Sequence, residues 1–280
     1  MCEFCTQHGD GKKWYLEARN YSDDLLSDIR RRKFITEFLS GSTIDLPRML
    51  RDLERLDSAP GFIQWFVKWY QKRKFKKEHH GQVVPLEDVE QIVDMMGTIV
   101  RIPCICRRAT CKEDKAYCFG LTLSPDSIGI NAFVDESFWD GPDGAGLEEI
   151  DKEEAKKLLG DFEKESLCHT IWTFMSPFIG AICNCDRSDC LAMIGAVTHS
   201  VPILYKAEYV AILDWDKCNG CRACMHLCQF GAIGYSATNK KVIIDSRRCY
   251  GCGICRVTCK HEAISLADRQ THPVAARTWA

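Results

Sequence analysis

The stretch "CNGCRACMHLCQFGAI" (residues 218–233) places four cysteines at the spacing C-x2-C-x2-C-x3-C. The stretch "CYGCGICRVTCKHEAI" (residues 249–264) repeats both this spacing and the Ala-Ile ending. Between them, "SATNKKVIID" (residues 236–245) has the turn residues and β-branched residues of a hairpin. A repeat of this kind predicts one duplicated module built from two similar halves.

This order of cysteines resembles that of bacterial-type ferredoxins, which carry two [4Fe-4S] clusters. The resemblance implies a ferredoxin-like (βαβ)2 fold in which the fourth cysteine of each run reaches the other cluster. It assigns the first cluster to Cys218, Cys221, Cys224 and Cys259. It assigns the second cluster to Cys249, Cys252, Cys255 and Cys228. This duplicated order of thiols favours iron-sulfur clusters over zinc.

The residues around these cysteines include three glycines suited to tight loops and one departure from the family pattern. Gly220, Gly251 and Gly253 suit the unusual backbone angles that such loops need. The family commonly has proline after the fourth cysteine of each run, whereas this chain has Gln229 and Lys260. Unlike proline, these residues carry a backbone N–H, which we expect to donate a hydrogen bond to sulfur and to shift the potentials.

A second cysteine pattern lies upstream of this module. "IPCICRRATC" (residues 102–111) has the spacing C-x-C-x4-C, "AICNCDRSDC" (residues 181–190) repeats it, and "YCFGL" (residues 117–121) adds one thiol. Residues i and i+2 of an extended segment face the same side, so each C-x-C pair can present both sulfurs together. Arg107 and Arg108 would stabilise thiolates, as metal ligation requires.

These cysteines predict a metal site drawn from seven thiols. The candidates are Cys104, Cys106, Cys111, Cys118, Cys183, Cys185 and Cys190. We expect the two C-x-C pairs to be central, with Cys111 and Cys190 in reserve. Small buried core thiols are the alternative, and all-thiolate sites also suit zinc. A chain that already receives two clusters favours a third [4Fe-4S] cluster over zinc.

A second resemblance rests on "VPLEDVEQIVD", "PCICR", "YCFG", "HTIW" and "ICNC", followed by the duplicated module. This order is similar to a family of 4Fe-4S binding proteins of anaerobes known mainly from sequence, and it covers the chain from about residue 85 onward. It places His169 at the family's histidine position, with the role of ligand, proton donor or hydrogen-bond partner to sulfur. A satisfied core histidine is the alternative, and neighbouring Cys168 is predicted to be structural. The family's second cysteine set is richer in adjacent cysteines than "CNCDRSDC" is.

The N-terminus offers Cys2, Cys5 and His8, a C-x2-C-x2-H arrangement without a fourth ligand of its own. It could complete a metal site only with help from elsewhere. The alternatives are a frayed terminus with incidental cysteines and a segment that docks onto a cluster of this chain or of a partner.

Composition narrows the class of protein. The chain has 280 residues, 18 cysteines and a net charge of −2, which predicts no obligate polyanion partner. The cysteine content is below that of small disulfide scaffolds, and "MCEFC" lacks the features of a secretory signal, so we expect a reducing cytoplasm. The longest apolar stretch, residues 170–182, is too short to span a bilayer and contains a proline.

The sequence predicts an α+β protein with a mixed α/β cysteine-rich domain. In the N-terminal region we expect helices from Ser22 to Gly41, over residues 47–56 and from Pro60 onward. The predicted parts are a helical region over 1–80, the cysteine-rich domain over 81–205, the dicluster domain over 206–268 and a tail over 269–280.

The helix from Pro60 is aromatic and basic over residues 62–77. It fits a scaffold helix with a solvated outer face, an interfacial membrane helix or a nucleic-acid contact. We favour the scaffold helix, with peripheral membrane contact as the next alternative, because no groove-reading or single-strand-binding motif supports nucleic acid.

Together these features predict an electron-transfer protein that relays single electrons through two ferredoxin-type clusters and a third. It would serve a larger oxidoreductase, such as one containing flavin, as a subunit or soluble partner. One alternative is a reductase with an open metal site in the cysteine-rich domain, assisted by His169 or Arg107. Another is a regulatory protein whose third site holds zinc.

Overall fold

In the computed structural model, the described residues are 13–39, 45–112, 116–125, 129 and 148–279. The predicted Cys2, Cys5 and His8 group lies outside them, as do residues 135–146, whose sequence "DESFWDGPDGAG" predicts a turn-rich loop. The described part of the chain combines helices with β-sheets, which confirms the predicted mixed class at that level.

The described residues up to Glu78 form mainly helices. Three short 3-10 turns precede α1 (Ile29–Leu39), α2 (Leu46–Asp57) and α3 (Gly61–Glu78). Ser22 caps a 3-10 turn and not the long helix that the sequence predicted. The α-helix begins only after Asp28, whose carboxylate accepts hydrogen bonds from the backbone N–H groups of Arg30 (2.8 Å) and Arg31 (3.3 Å).

A central sheet follows these helices. Its strands are β1 (Gly81–Val83), β2 (Thr98–Ile102), β3 (Cys118–Thr122), β4 (Glu148–Ile150), β5 (Cys168–Thr173), β6 (Ile179–Cys185) and β7 (Leu204–Tyr205). They lie in the order β4-β2-β3-β6-β5-β1-β7, and only the β1–β7 pair is parallel. β5 and β6 are therefore central neighbours, which places their cysteines inside the protein.

The two faces of the sheet pack against different cores because strand side chains alternate between faces. The helices associated with the sheet are α4 (Leu86–Met95), α5 (Ile105–Thr110), α6 (Lys152–Lys164) and α7 (Leu191–Met193). Ile171 and Ile182 pack with α4 and α6 on one face. Cys168 and Cys185 face the other core, together with α1 and residues of the dicluster module.

The C-terminal module repeats a β-α-β unit, in agreement with its duplicated sequence. Its elements are β8 (Tyr209–Leu213), α8 (Ala223–Leu227), β9 (Ile233–Ser236), β10 (Lys241–Ile244), α9 (Ile254–Val257) and β11 (Ile264–Asp268). β8 pairs with β11 and β9 with β10, both antiparallel. The first and last strands of the module thus lie together, which brings the start of one half close to the end of the other.

Polar contacts join this module to the sheet. Asp88 on α4 accepts hydrogen bonds of 3.0 Å from Tyr209 Oη and Lys13 Nζ. Arg256 on α9 pairs with Glu87, with a distance of 2.9 Å between Nη2 and Oε2. Among the described helices, none is both long and apolar enough to cross a membrane.

Candidate iron-sulfur centres

One cavity of the dicluster module is lined by cysteines from both repeats. Its thiols are Cys218, Cys221, Cys224 and Cys259, and the side chains of Val242 and Ile264 also line it. The first three cysteines come from the first repeat and the fourth from the second, because β8 and β11 pair. Cys221 is exposed while Cys224 is buried, so this cavity lies near the protein surface.

The other cavity of the module contains the complementary set of thiols. It is lined by Cys228, Cys249, Cys252 and Cys255, together with the rings of Phe230 and Tyr250. Cys249 and Cys255 are buried, and Cys252 packs into the core shared with the central sheet. This second thiol set therefore lies between the first one and the cysteine-rich sheet.

The loops around both cavities have the tight backbone turns and the N–H donors to sulfur that a thiolate-bound cluster needs. Gly220 and Gly251 have φ values of +74° and +73°, and a Cβ there would lie 2.0 Å from Lys240 O and 2.1 Å from Tyr209 O. Only glycine fits such a close approach of two backbone segments. The loops also provide N–H donors for sulfur, because Ala232 N lies 3.2 Å from Cys228 Sγ and Ala211 N lies 3.4 Å from Cys249 Sγ.

A third group of thiols lies where α5, β3, β6 and the start of α7 meet. The Cys104 thiol is in hydrogen-bonding contact with those of Cys106 and Cys118. Contacts then run from Cys118 to Cys183, from Cys106 to Cys190 and from Cys190 to Cys185. This six-thiol group is a string of pairwise contacts, and among the described residues no three His, Cys, Asp or Glu side chains are arranged to hold a single metal ion.

The two cysteine sets reach this group by different backbone geometries. Cys183 and Cys185 lie on β6, where they share one face as predicted. Cys104 and Cys106 do not form the predicted extended pair, because Cys104 is the N-cap of α5 and Cys106 lies in its first turn. Cys111 lies at the other end of that helix, with its sulfur 3.3 Å from Thr110 Oγ1.

Arg107 holds the two cysteine sets together. Its side chain is 3% exposed and pairs with Asp186 at 14% exposure. The guanidinium also lies 3.7 Å from Asp189 Oδ2, and it donates to Asn184 O at 3.2 Å. Asp186 and Asp189 of "CNCDRSDC" thus form ion pairs with Arg107, which lies in the segment of the first cysteine set.

Arg107 also affects the nearest thiol. Hydrogen bonds from the Cys106 and Cys118 thiols, with a further contribution from Arg107, hold the pKa of Cys104 well below its usual range. The guanidinium Nη1 lies 3.9 Å from Cys104 Sγ. A cation and two S–H donors around one sulfur favour the thiolate, which is the form that binds metal.

His169 lies on the other face of the sheet from these thiols. In the β5–β6 register it pairs with Asn184, whereas Cys168 pairs with Cys185. His169 Nδ1 donates to Asn184 Oδ1 at 2.6 Å, and Nε2 has no hydrogen-bond partner among the described residues. Burial lowers the pKa of His169 to about 4. The arrangement is that of a neutral, buried histidine held by an asparagine.

Gln229 occupies the position where ferredoxins of this type commonly have proline, and it links the module to segments next to the central sheet. Its side-chain amide donates to Ser166 O at 3.0 Å, and its Oε1 accepts from Arg187 N at 3.1 Å. The Cys228 and Cys259 sulfurs accept hydrogen bonds from the backbone N–H groups of Ala232 and Ala263, four residues further on, at 3.2 and 3.3 Å. The sequence predicted that the backbone N–H of Gln229 donates to sulfur. The feature that the structure shows for Gln229 is instead its side-chain bridge to Ser166 and Arg187.

Two buried residues near the second cavity were not predicted from the sequence to be functional. Cys168 is fully buried, its thiol contacts that of Cys252, and Cys190 and Cys228 lie close enough to affect it electrostatically. Glu163 on α6 is 6% exposed, and burial raises its pKa to about 7. Neither residue belongs to a recognisable motif, so only the packing of the sheet against the module reveals them.

A family model described as a 4Fe-4S dicluster domain matches residues 217–270. This match covers both cysteine repeats and supports [4Fe-4S] binding and an iron-sulfur electron-transfer role for that part of the chain. It confirms the predicted ferredoxin-type module near the C-terminus. Comparison of the chain with curated proteins and with solved structures gives no match.

Proposed function

We propose that this chain relays single electrons through two [4Fe-4S] clusters in the dicluster module and a third cluster in the six-thiol group. A [4Fe-4S] cluster bound by cysteine thiolates supplies one-electron redox chemistry. The observation that carries the proposal is the placement of three thiol groups in one packed body, with Cys168 between the second and the third.

In this proposal each cavity of the module takes its ligands from both repeats. One cluster would be held by Cys218, Cys221, Cys224 and Cys259. The other would be held by Cys228, Cys249, Cys252 and Cys255. The lining of the two cavities and the N–H donors to sulfur support this division.

The surrounding residues would set the potentials by burial and hydrogen bonding. Phe230 and Tyr250 keep water from one side of the second cavity, and the N–H groups of Ala211 and Ala232 stabilise negative charge on two of its sulfurs. The first cavity has an exposed thiol at Cys221, so its cluster would exchange electrons with an external partner.

The third cluster would use four thiols of the six-thiol group, in which Cys118 and Cys190 are as central as the C-x-C pairs. Arg107 supports this proposal, since a buried cation beside Cys104 favours anionic ligands. Cys111 is not required in this arrangement. The reductase alternative receives no support from His169, which faces away from these thiols.

We further propose that the chain serves a larger oxidoreductase, with a flavoprotein as the expected kind of partner. Such a role needs an electron path from the surface to the interior. The exposed Cys221, the second cavity and the buried six-thiol group provide three successive positions for it.

Metal analysis of anaerobically purified protein tests the number and kind of centres. Three cubane clusters correspond to about 12 irons per chain and no zinc. A Cys104→Ser/Cys118→Ser variant should retain about 8 irons, and Cys111→Ser, the matched control, should retain about 12. About 8 irons plus one zinc in the unmodified chain would contradict the third cluster while leaving the module's clusters in place.

A further inference from the structure

A cavity of about 520 Å³ lies between α3 and the dicluster module, apart from the thiol sites. Helix α3 lines one side with Trp65, Lys68, Trp69 and Lys72. The module and the segment before it line the other side, including Lys206, Phe230, Arg247, Arg248 and Tyr250. The volume is in the range of sites for small molecules.

The charged side chains that the structure describes around this cavity are all positive. Five of its lining side chains are basic, namely Lys68, Lys72, Lys206, Arg247 and Arg248, and none of the described lining residues is acidic. Among the described residues, no carboxylate pairs with any of the five. Like charges around one concavity repel each other, so a bound anion would stabilise the arrangement.

Lys206 is the most buried of these cations. It is 6% exposed, and its Nζ donates to Arg247 O at 2.8 Å and lies 5.3 Å from the centre of the Tyr250 ring. Burial lowers the pKa of Lys206 to about 8, with Arg269 adding to the effect. Asp245 acts on this ammonium group electrostatically but forms no ion pair with it among the described residues, so a buried cation here favours a bound anion.

The aromatic residues of the cavity connect it to the second thiol site. Phe230 and Tyr250 are stacked, with ring centroids 4.0 Å apart and an interplanar angle of 10°. Both rings line this cavity and also the one that contains Cys228, Cys249, Cys252 and Cys255. They form a shared wall, so a ligand packed against Tyr250 would be separated from the thiol site only by these rings.

We propose that this cavity binds a mononucleotide, a planar heteroaromatic ring that carries a phosphate, with flavin mononucleotide as the redox-active form. The lysine and arginine side chains would bind the phosphate, and the ring would pack against the aromatic wall. A concave, partly apolar site suits a small ligand better than the flat surface of an acidic protein. The proposed binding site does not depend on the proposed function. A role for its ligand as electron donor or acceptor does rest on that function.

Binding assays on the full chain with its clusters, under anaerobic conditions, test the proposal. The probes are flavin mononucleotide, riboflavin and adenosine monophosphate, measured by calorimetry. We expect saturable binding of one flavin mononucleotide, and binding of riboflavin that is weaker by about tenfold or more, because riboflavin lacks the phosphate. Equal or tighter binding of adenosine monophosphate would identify a nucleotide other than flavin as the ligand.

Charge reversal separates the cavity from the general basic surface of α3. Lys72→Glu and Arg247→Glu should each weaken binding by about tenfold or more. Lys77→Glu is the matched control, because Lys77 is exposed on the same helix and does not line the cavity. Iron content and cluster absorbance of the same samples report whether each variant is folded and loaded.

Three results would overturn the inference. The first is that neither phosphorylated probe binds at concentrations up to about 1 mM. The second is that riboflavin and flavin mononucleotide bind with equal affinity. The third is that both charge-reversal variants bind flavin mononucleotide as tightly as the unmodified chain does. Binding of an acidic redox protein that is lost in Lys72→Glu, without binding of any mononucleotide, would also overturn it. If the clusters of such samples still accept electrons, the proposed relay function stands although the ligand site fails.

Discussion

The buried thiol of Cys168, on a central strand of the sheet, contacts the sulfur of Cys252 in the dicluster module. A hydrogen bond between the two thiols lowers the pKa of Cys252, and the Cys168 sulfur also lies 3.8 Å from the backbone oxygen of His169. Cys168 also lies close to Cys190 of the six-thiol group and to Cys228. It is thus a thiol outside both proposed ligand sets that lies between them.

We predict that Cys168→Ala lowers the reduction potential of the second cluster of the module. An S–H donor stabilises negative charge on sulfur, and reduction adds negative charge, so loss of the donor disfavours the reduced form. A weak hydrogen bond of about 0.5–1 kcal/mol corresponds to roughly 20–40 mV for one electron. A redox titration followed by electron paramagnetic resonance measures the shift. Cys168→Ser keeps a donor and should shift the potential less, and an unchanged potential in the alanine variant would contradict the prediction.

Arg107→Met should remove the proposed third cluster without affecting the module. The substitution keeps most of the side-chain volume but leaves Asp186 and Asp189 without their cation and Cys104 without the nearby positive charge. Breaking a buried ion pair of this kind costs on the order of 3 kcal/mol. We expect about 8 irons per chain in place of about 12, and a lower midpoint of thermal unfolding.

The control for this prediction is Arg187→Ala, since Arg187 is an exposed neighbour in the same loop. It should retain the iron content and the unfolding midpoint of the unmodified chain. Loss of iron from both variants alike would indicate that the loop as a whole is sensitive, and the specific role of Arg107 would then be wrong.

Gln229→Ala should weaken the connection between the module and the sheet, whereas Lys260→Ala should not. The two residues hold equivalent positions in the two repeats, but only Gln229 bridges to Ser166 and Arg187. Loss of two hydrogen bonds should lower the free energy of unfolding by about 1–3 kcal/mol. Chemical denaturation of the reduced and oxidised protein measures it, and equal effects of the two substitutions would contradict the bridging role.

Acid should destabilise the protein partly through His169. Burial lowers the pKa of His169 to about 4, below that of an unfolded histidine at about 6.5, so between these values the unfolded state binds more protons. The contribution of the neutral histidine is therefore complete above about pH 6.5 and is lost as the pH falls. At pH 5.5 the loss is about 1 kcal/mol relative to pH 7.5.

His169→Gln should reduce this dependence, since glutamine can donate to Asn184 but does not titrate. The measurement is the free energy of unfolding at the two pH values for the unmodified chain, for His169→Gln and for the exposed control His226→Gln. Equal pH dependence in all three proteins would show that His169 does not contribute.

The local elements of the fold followed closely from the sequence. Helix α2 covers the predicted residues 47–56, helix α3 begins after Pro60, and the hairpin of β9 and β10 lies where turn residues separate two β-branched stretches. These features depend on neighbours in the chain, so propensity and periodicity predict them. The extended pairing of Cys104 with Cys106 was wrong, because a helix begins at Cys104 and brings the thiols together within its first turn.

The sequence by itself determined the duplicated module, because ligand type and spacing are local properties of each cysteine run. Only the tertiary structure decided which distant groups meet. It placed His169 on the face opposite the thiols, brought Cys168 against Cys252, and enclosed a basic aromatic cavity between α3 and the module. Residues brought together in this way lie up to 185 positions apart along the chain, as Trp65 and Tyr250 of this cavity do, and no pattern along the chain encodes how a sheet face packs on a neighbouring domain.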